Sequence, residues 1–232
     1  MNTTTDQRFH ARRAGAERGF SFIEILIVMG IISVLVGGAI VAIGMWTKKQ
    51  PEFATKNTMT KVKTSIENWK SQFEMYPPSD VTRIAGVAGR GSPGQPPENR
   101  INEGIEAVYQ ALQWPGFKGD PEWDGEKELG NTDEDKLRKA INKHGTVELM
   151  EVLDGWGNPL VYFHRDDYGK YAEGGASYMS MDIEQELLDV EPMPWRNEDG
   201  TFVNPSTFQL FSMGPDGEPN TDDDITTWTR ED

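Results

Sequence analysis

The chain has 232 residues, a net charge of −15 and no cysteine. Such acidity argues against nucleic acid as a partner, because phosphate contacts need clustered Lys and Arg. The missing cysteines exclude a disulfide framework, so the part after Trp46, about 185 residues, must rely on one buried core or on a metal.

The first element is the N-terminus. Arg8, Arg12, Arg13 and Arg18 outweigh Asp6 and Glu17, and an apolar run from Ile25 to Trp46 without a charge follows. As a helix that run is roughly 33 Å long, enough to cross a bilayer. The basic leader stays on the cytoplasmic side by the positive-inside rule, only weakly opposed by Lys48 and Lys49. No small-x-small site follows the apolar run, so this is not an ordinary secretory signal and the helix is kept. Gly30, Gly37, Gly38 and Gly44 suit a helix packed closely among neighbours in lipid. Glu24 sits four residues inside the apolar run that starts at Phe20. A carboxylate there costs roughly 2.5–3.5 kcal/mol on the insertion scale, which a plain anchor has no reason to carry. It is read either as a side chain that reaches the interface or as one awaiting a partner from another subunit.

Gly19, Phe20, Glu24 and the apolar helix behind them resemble the class III signal of type IV pilins and type II secretion pseudopilins. The resemblance implies that a prepilin peptidase cuts between Gly19 and Phe20 and that Phe20 is N-methylated. Glu24 then becomes an assembly residue. The implied division is a leader over 1–19, a transmembrane assembly helix over 20–46 and a periplasmic head over 47–232, anchored by a single pass in the inner membrane.

Beyond Pro51, Met59, Val62, Ile66, Trp69 and Phe73 recur at spacings of three and four, one face of an amphipathic helix half over 52–76. Tyr76-Pro77-Pro78 ends it. Ala85–Asn99 reads as a loop rich in Gly, Pro and Ser. Asn102 is placed to cap a helix carrying Ile105, Val108, Tyr109 and Leu112. Thr132 and Asp135 form a capping-box pattern before Leu137, Ala140 and Ile141, predicting a second helix stopped by Gly145. Val147–Leu153 fits strand or helix. Asp154–Pro159 predicts a tight turn with a buried Trp156, and Leu160–Phe163 a strand. Ser177–Met181 and Phe208–Ser212 predict further strands; Arg165–Glu198 otherwise matches no pattern.

Tyr76-Pro77, Gly104-Ile105-Glu106-Ala107 and Trp156-Gly157-Asn158-Pro159 are similar to the head of the major pseudopilin, the G-type subunit. The head departs from it by extra segments around Ala85–Gly145 and Arg165–Ser206. The last constellation is the stretch from Ser212 to Ile225, with Asp216, Asp222, Asp223 and Asp224 among Gly and Pro. Hard oxygens on tight turns are what calcium needs, but the spacing is not that of an EF-hand. From spacing alone the loop is as much a solvated acidic surface as a site. In major pseudopilins a Gly-x-Asp-Gly loop followed by Asp-Asp-Ile and Trp holds calcium. Gly214–Gly217, Asp223-Asp224-Ile225 and Trp228 match it. The resemblance therefore implies calcium ligands Asp216, Asp223 and Asp224, with Ser212 as a carbonyl or hydroxyl donor and Asp222 as the alternative in a shifted register.

No catalytic apparatus is evident: His144 is isolated, His164 beside Asp166 and Asp167 reads as a surface turn, and Ser177 has no base. The expectation is an α+β, pilin-like chain with a long N-terminal helix on a small antiparallel sheet, not an enzyme. It would form a homopolymer in a pseudopilus, with a prepilin peptidase, minor pseudopilins and an inner-membrane secretion platform as partners, and drive export across the outer membrane. The alternatives are a type IV pilin or minor pseudopilin and, from another class, a membrane-anchored calcium- or ligand-binding domain that never polymerises.

Overall fold

The computed structural model describes residues 22–87, 96–182, 184 and 186–229, and of 34 and 36–48 the backbone alone. Gly19, Phe20 and the leader lie outside the described residues. The chain divides into two compact units, Met1–Trp46 and Thr47–Asp232.

In the first unit, helix α1 begins at Phe22; it is assigned over Phe22–Phe73. Ile23, Ile25, Leu26, Ile27, Val28, Met29, Ile31, Ile32 and Leu35 are all exposed. An apolar surface on every side is what a helix surrounded by lipid or by other helices carries. Among the described residues no helix is long and apolar enough to cross a membrane. The predicted span Ile25–Trp46 includes 34 and 36–46, whose side chains are not described.

The second unit is built on the remaining part of α1. Its stripe packs as its periodicity predicts: Met59, Val62, Ile66 and Trp69 are buried in the core, and Phe73 stacks on Trp69 with ring centroids 4.1 Å apart. The helix stops earlier than the Tyr-Pro-Pro signal suggests. Glu74 adopts φ 64°, and its N–H donates to the Lys70 carbonyl at 2.7 Å, a left-handed stop normally given to glycine.

Helix α2 is a single turn, Ile84–Val87. Helix α3, Glu103–Leu112, is buried on all sides except at Tyr109. Gly104 explains its close seating: a Cβ there would lie 2.3 Å from the Tyr162 carbonyl oxygen. Asn102 holds the N-cap position as predicted, its carbonyl accepting from the Ile105 and Glu106 N–H groups, but its side chain makes no capping bond. It takes φ 57°, its Nδ2 donates to Thr132 Oγ1 and Glu151 Oε1, and its Oδ1 accepts from the Met179 N–H.

Among the described residues, seven short strands form three antiparallel sheets: β1 (Leu129–Gly130) with β2 (Glu151–Val152); β3 (Val161–His164), β6 (Phe208–Ser212) and β7 (Ile225–Thr226) in the order β3-β6-β7; and β4 (Tyr178–Met181) with β5 (Leu187–Val190). β3 and β6 are buried along their whole length, which is why they read as apolar runs and not as alternations. β4 alternates buried and half-buried.

Two expectations are corrected. The segment after Thr132 is not a helix. Asn131 and Asp135 exchange hydrogen bonds, Leu137 N–H donates to the Val147 carbonyl, and Lys136 bridges to Glu148, so the chain doubles back as an irregular hairpin. Trp156 is only half-buried. The turn is organised instead by Asp154, whose Oδ1 accepts from the N–H groups of Trp156 and Asn158.

Candidate functional site

The carboxyl-terminal acidic stretch is the connection between β6 and β7. Ser212 pairs with Ile225 across it, so Met213 to Asp224 form the closing loop of an antiparallel pair. The loop must turn back on itself twice, and Gly214 and Gly217 take φ 70° and 71° to do so. A Cβ at Gly214 would lie 2.7 Å from the Asp223 carbonyl oxygen, and one at Gly217 would lie 2.3 Å from that of Met181. Both glycines are therefore pressed against backbone, and Ser180 Oγ donates to the Gly217 carbonyl at 2.7 Å.

Within this frame Asp216 and Asp223 come together. Burial raises the Asp216 carboxyl above its ordinary range, and the neighbouring Asp223 carboxylate raises it further, against the lowering effect of the Glu218 N–H that Asp216 accepts. Asp223 Oδ1 also accepts from Thr221 Oγ1 at 2.6 Å. Asp224 is buried and holds the loop from inside: its Oδ2 accepts from the Asn220 N–H at 2.9 Å. Asp222 is exposed. Ser212 is buried, but its hydroxyl is committed, donating to Asp154 Oδ2 at 2.6 Å. Burial pushes the Asp154 carboxyl up to about 6 despite that bond and those from the turn.

A hard cation at this loop would thus meet Asp216 and Asp223, two carboxylates whose mutual repulsion a cation relieves. The Ser212 hydroxyl already has another partner. Among the described residues, the group of three carboxylates that converges within 4.8 Å lies elsewhere, at Glu106, Asp133 and Glu151. No sequence motif joins these residues, because they come from a helix, a loop and a strand. The only signal was local: Glu103 and Glu106 stand on a helix otherwise made for the core. Burial and the surrounding acids hold Glu106 well above the usual carboxylate range, and Asp135 and Glu151 are pushed up to about 7.

His164 is not a surface residue. It is buried at the end of β3, its Nδ1 accepts from the Asp166 N–H at 3.2 Å, and it caps the short turn Arg165–Asp167. That is a structural task.

At the other end of the chain, residues 15–45 match the family model described as the prokaryotic N-terminal methylation motif. The N-terminal segment is a prepilin-type methylation motif. Its matched stretch contains Gly19, Phe20 and Glu24 and runs into the apolar part of α1. The motif indicates a type IV pilin-like or pseudopilin-like subunit, processed by a prepilin peptidase, and suggests an N-terminus anchored in a membrane. It does not extend into the head. No curated protein and no solved structure matches the chain.

Proposed function

We propose that the chain is a structural subunit of a type II secretion pseudopilus, a pilin-like protein that polymerises through its N-terminal helix and does no chemistry of its own. The observation that carries this reading is the methylation motif over residues 15–45, set on a helix whose described apolar side chains from Phe22 to Leu35 all face outward. A single helix exposing that much apolar surface needs lipid or copies of itself around it. In the membrane it would cross once, with the head in the periplasm. In the filament, identical helices would bundle, and growth from an inner-membrane platform would push cargo outward.

The head supports the narrower, G-type reading through its C-terminal loop, where Asp216 and Asp223 meet between β6 and β7. Asp216, Asp223 and Asp224 are proposed as the residues that calcium would tie together, with Asp222 and Ser212 as the outer candidates. The irregular hairpin after Thr132 and the β4–β5 pair are additions to that head.

The test is processing followed by assembly. The full chain is produced together with a prepilin peptidase and an inner-membrane assembly platform. Intact-mass measurement should then find a chain beginning at Phe20 with one added methyl group, and shearing should release filaments made of it. A chain that retains Met1 beside an active peptidase, or a processed chain that stays monomeric with the platform present, overturns the proposal and favours an anchored binding domain.

A further inference from the structure

We propose that Glu106, Asp133 and Glu151, with Asp135 beside them, form a buried site for a divalent cation, calcium by preference, separate from the C-terminal loop and independent of the function proposed above.

The placement comes first. Glu106 stands in the first turn of α3, Glu151 in β2, and Asp133 and Asp135 in the segment after β1. One oxygen each from Glu106, Asp133 and Glu151 lies within 4.8 Å of the others. Calcium binds oxygens at about 2.3–2.6 Å, so two ligands of one ion are never more than about 5 Å apart. The three oxygens meet that limit as they stand.

The second observation is independent of the clustering. Glu106 is fully buried, and among the described residues neither of its carboxylate oxygens has a hydrogen-bond donor. Both oxygens of buried Asp135 are in the same condition, as is Oδ2 of Asp133. Buried polar atoms in folded proteins are nearly always partnered, and those left over call for an explanation. Here they point at one another.

The neighbouring donors are already spent. Asn102 Nδ2, the Thr132 N–H and Thr132 Oγ1 all go to Glu151, at 3.1, 2.9 and 3.2 Å. The Asp133 carboxyl receives the long 3.4 Å contact from the Asp135 N–H at Oδ1 and a side-chain hydrogen bond from Asn99. Among the described residues no Lys or Arg forms an ion pair with any of the four; Arg100 reaches Glu103 instead, at 2.9 Å. Ionised groups withdrawn from water in this way need a counter-charge.

The donor set selects the ion. It is all oxygen, with neither His nor Cys, which suits hard cations. A buried pocket between a helix, a strand and an irregular loop favours the flexible, multidentate shell of calcium. Magnesium demands a tight octahedron and keeps its waters. Bound there, the ion would staple α3 to β2 and to the 131–135 segment in a head without disulfides.

Calcium binding by the full chain in detergent, cleared with a chelator, tests the proposal. Titration calorimetry with calcium chloride and thermal melting are run on Asp223→Ala, which removes the C-terminal loop from the count. The proposal expects this variant to bind one calcium per chain and to melt higher in calcium than in chelator. Adding Glu106→Gln, which keeps shape and drops a charge, should abolish both. Asp133→Asn at a half-buried position is the second variant should Glu106→Gln fold poorly. An Asp223→Ala chain that binds no calcium and melts alike in calcium and chelator overturns the proposal, the carboxyls then sharing protons instead. Retained binding in both double variants overturns it as well. Wild-type and Asp223→Ala chains that bind equally count against the C-terminal loop alone.

Discussion

Gly155 lies against the backbone of Pro51. A Cβ at Gly155 would stand 2.1 Å from the Pro51 carbonyl oxygen, and its N–H donates at 2.9 Å to Thr55 Oγ1, which itself donates to that same Pro51 carbonyl. The turn Asp154–Pro159 therefore meets α1 with backbone facing backbone, which only a residue without a side chain permits.

Gly155→Ala should accordingly force the turn away from the helix. Overpacking of this kind typically costs about 1–3 kcal/mol, or a drop in melting temperature on the order of 2–10 °C for a chain of this size. Gly169 is the control, because nothing lies within 4 Å of a Cβ there and its φ is not positive. Gly169→Ala should melt within a degree or two of wild type or slightly higher, since alanine restricts the unfolded chain. Equal melting of the two variants would show that the contact does not hold the turn.

The contrast between what was and was not legible beforehand follows from how far each signal reaches. The Met59-to-Trp69 stripe, α3 and the strands β3, β4 and β6 are period-3.6 or apolar-run signals, contained in a few residues each. The helix expected after Thr132 failed because a capping-box pattern needs a helix to cap. Thr132 instead gives its N–H and hydroxyl to Glu151, and Asp135 N–H goes to Asn131. Asn102, Asn158 and Gln209 were equally opaque. Each is buried and bonds to groups distant in sequence: Asn102 reaches Thr132, Glu151 and Met179, Asn158 exchanges two bonds with Met181, and Gln209 clamps Trp195 and Val203. Of the sites, the N-terminal motif was readable because it is contiguous. The Glu106 cluster was not, because its members are brought together only by the fold.

His164 gives a pH test with a definite sign. It is buried at the end of β3, and loss of water around the ring lowers its pKa below the ordinary 6.5. Asp166 and Asp167 oppose this, while Arg83 and Arg165 add to it. A lowered histidine contributes stability above its unfolded pKa and loses it as pH falls through about 6.5 toward the folded value. His164→Asn keeps an acceptor for the Asp166 N–H but does not titrate. The melting advantage of wild type over the variant should thus be constant from pH 8 to 7 and shrink toward pH 5. Using the difference between the two chains cancels the buried acids, which titrate in both. An advantage that does not change with pH would mean that the ring is protonated alike in both states.

Glu24 tests assembly apart from processing. In a filament its carboxylate would meet the amine of a neighbouring Phe20 where water is scarce. Removing one member of such a pair leaves the other uncompensated, at about 3–5 kcal/mol. Glu24→Ala should therefore be inserted and cut normally, as intact mass would register, yet yield few or no sheared filaments. Wild-type filament yield from this variant would remove Glu24 from the assembly step. An uncut variant would place its role in recognition by the peptidase.

The C-terminal loop makes the last prediction. Asp216 and Asp223 face each other, and among the described residues their donors are local, the Glu218 N–H and the Thr221 hydroxyl. A cation between them replaces a repulsion with two attractions and locks the loop to β6 and β7. A ligand that binds only the folded chain adds about 2.7 kcal/mol at a hundredfold excess over Kd, on the order of 5–10 °C in melting for a chain of this length. The measurement belongs on the full chain carrying Glu106→Gln, so that only this loop responds. That chain should melt higher in millimolar calcium than in chelator, while magnesium, reluctant to shed water, should shift it little. Asp223→Ala should erase the calcium shift. In chelator it should melt no lower, or slightly higher, because Asp216 loses a like-charged neighbour and Asp223 is itself exposed. Identical melting of the Glu106→Gln chain in calcium and chelator would make the loop a solvated acidic surface, its aspartates serving the turn through Asn220 and Thr221 and nothing more.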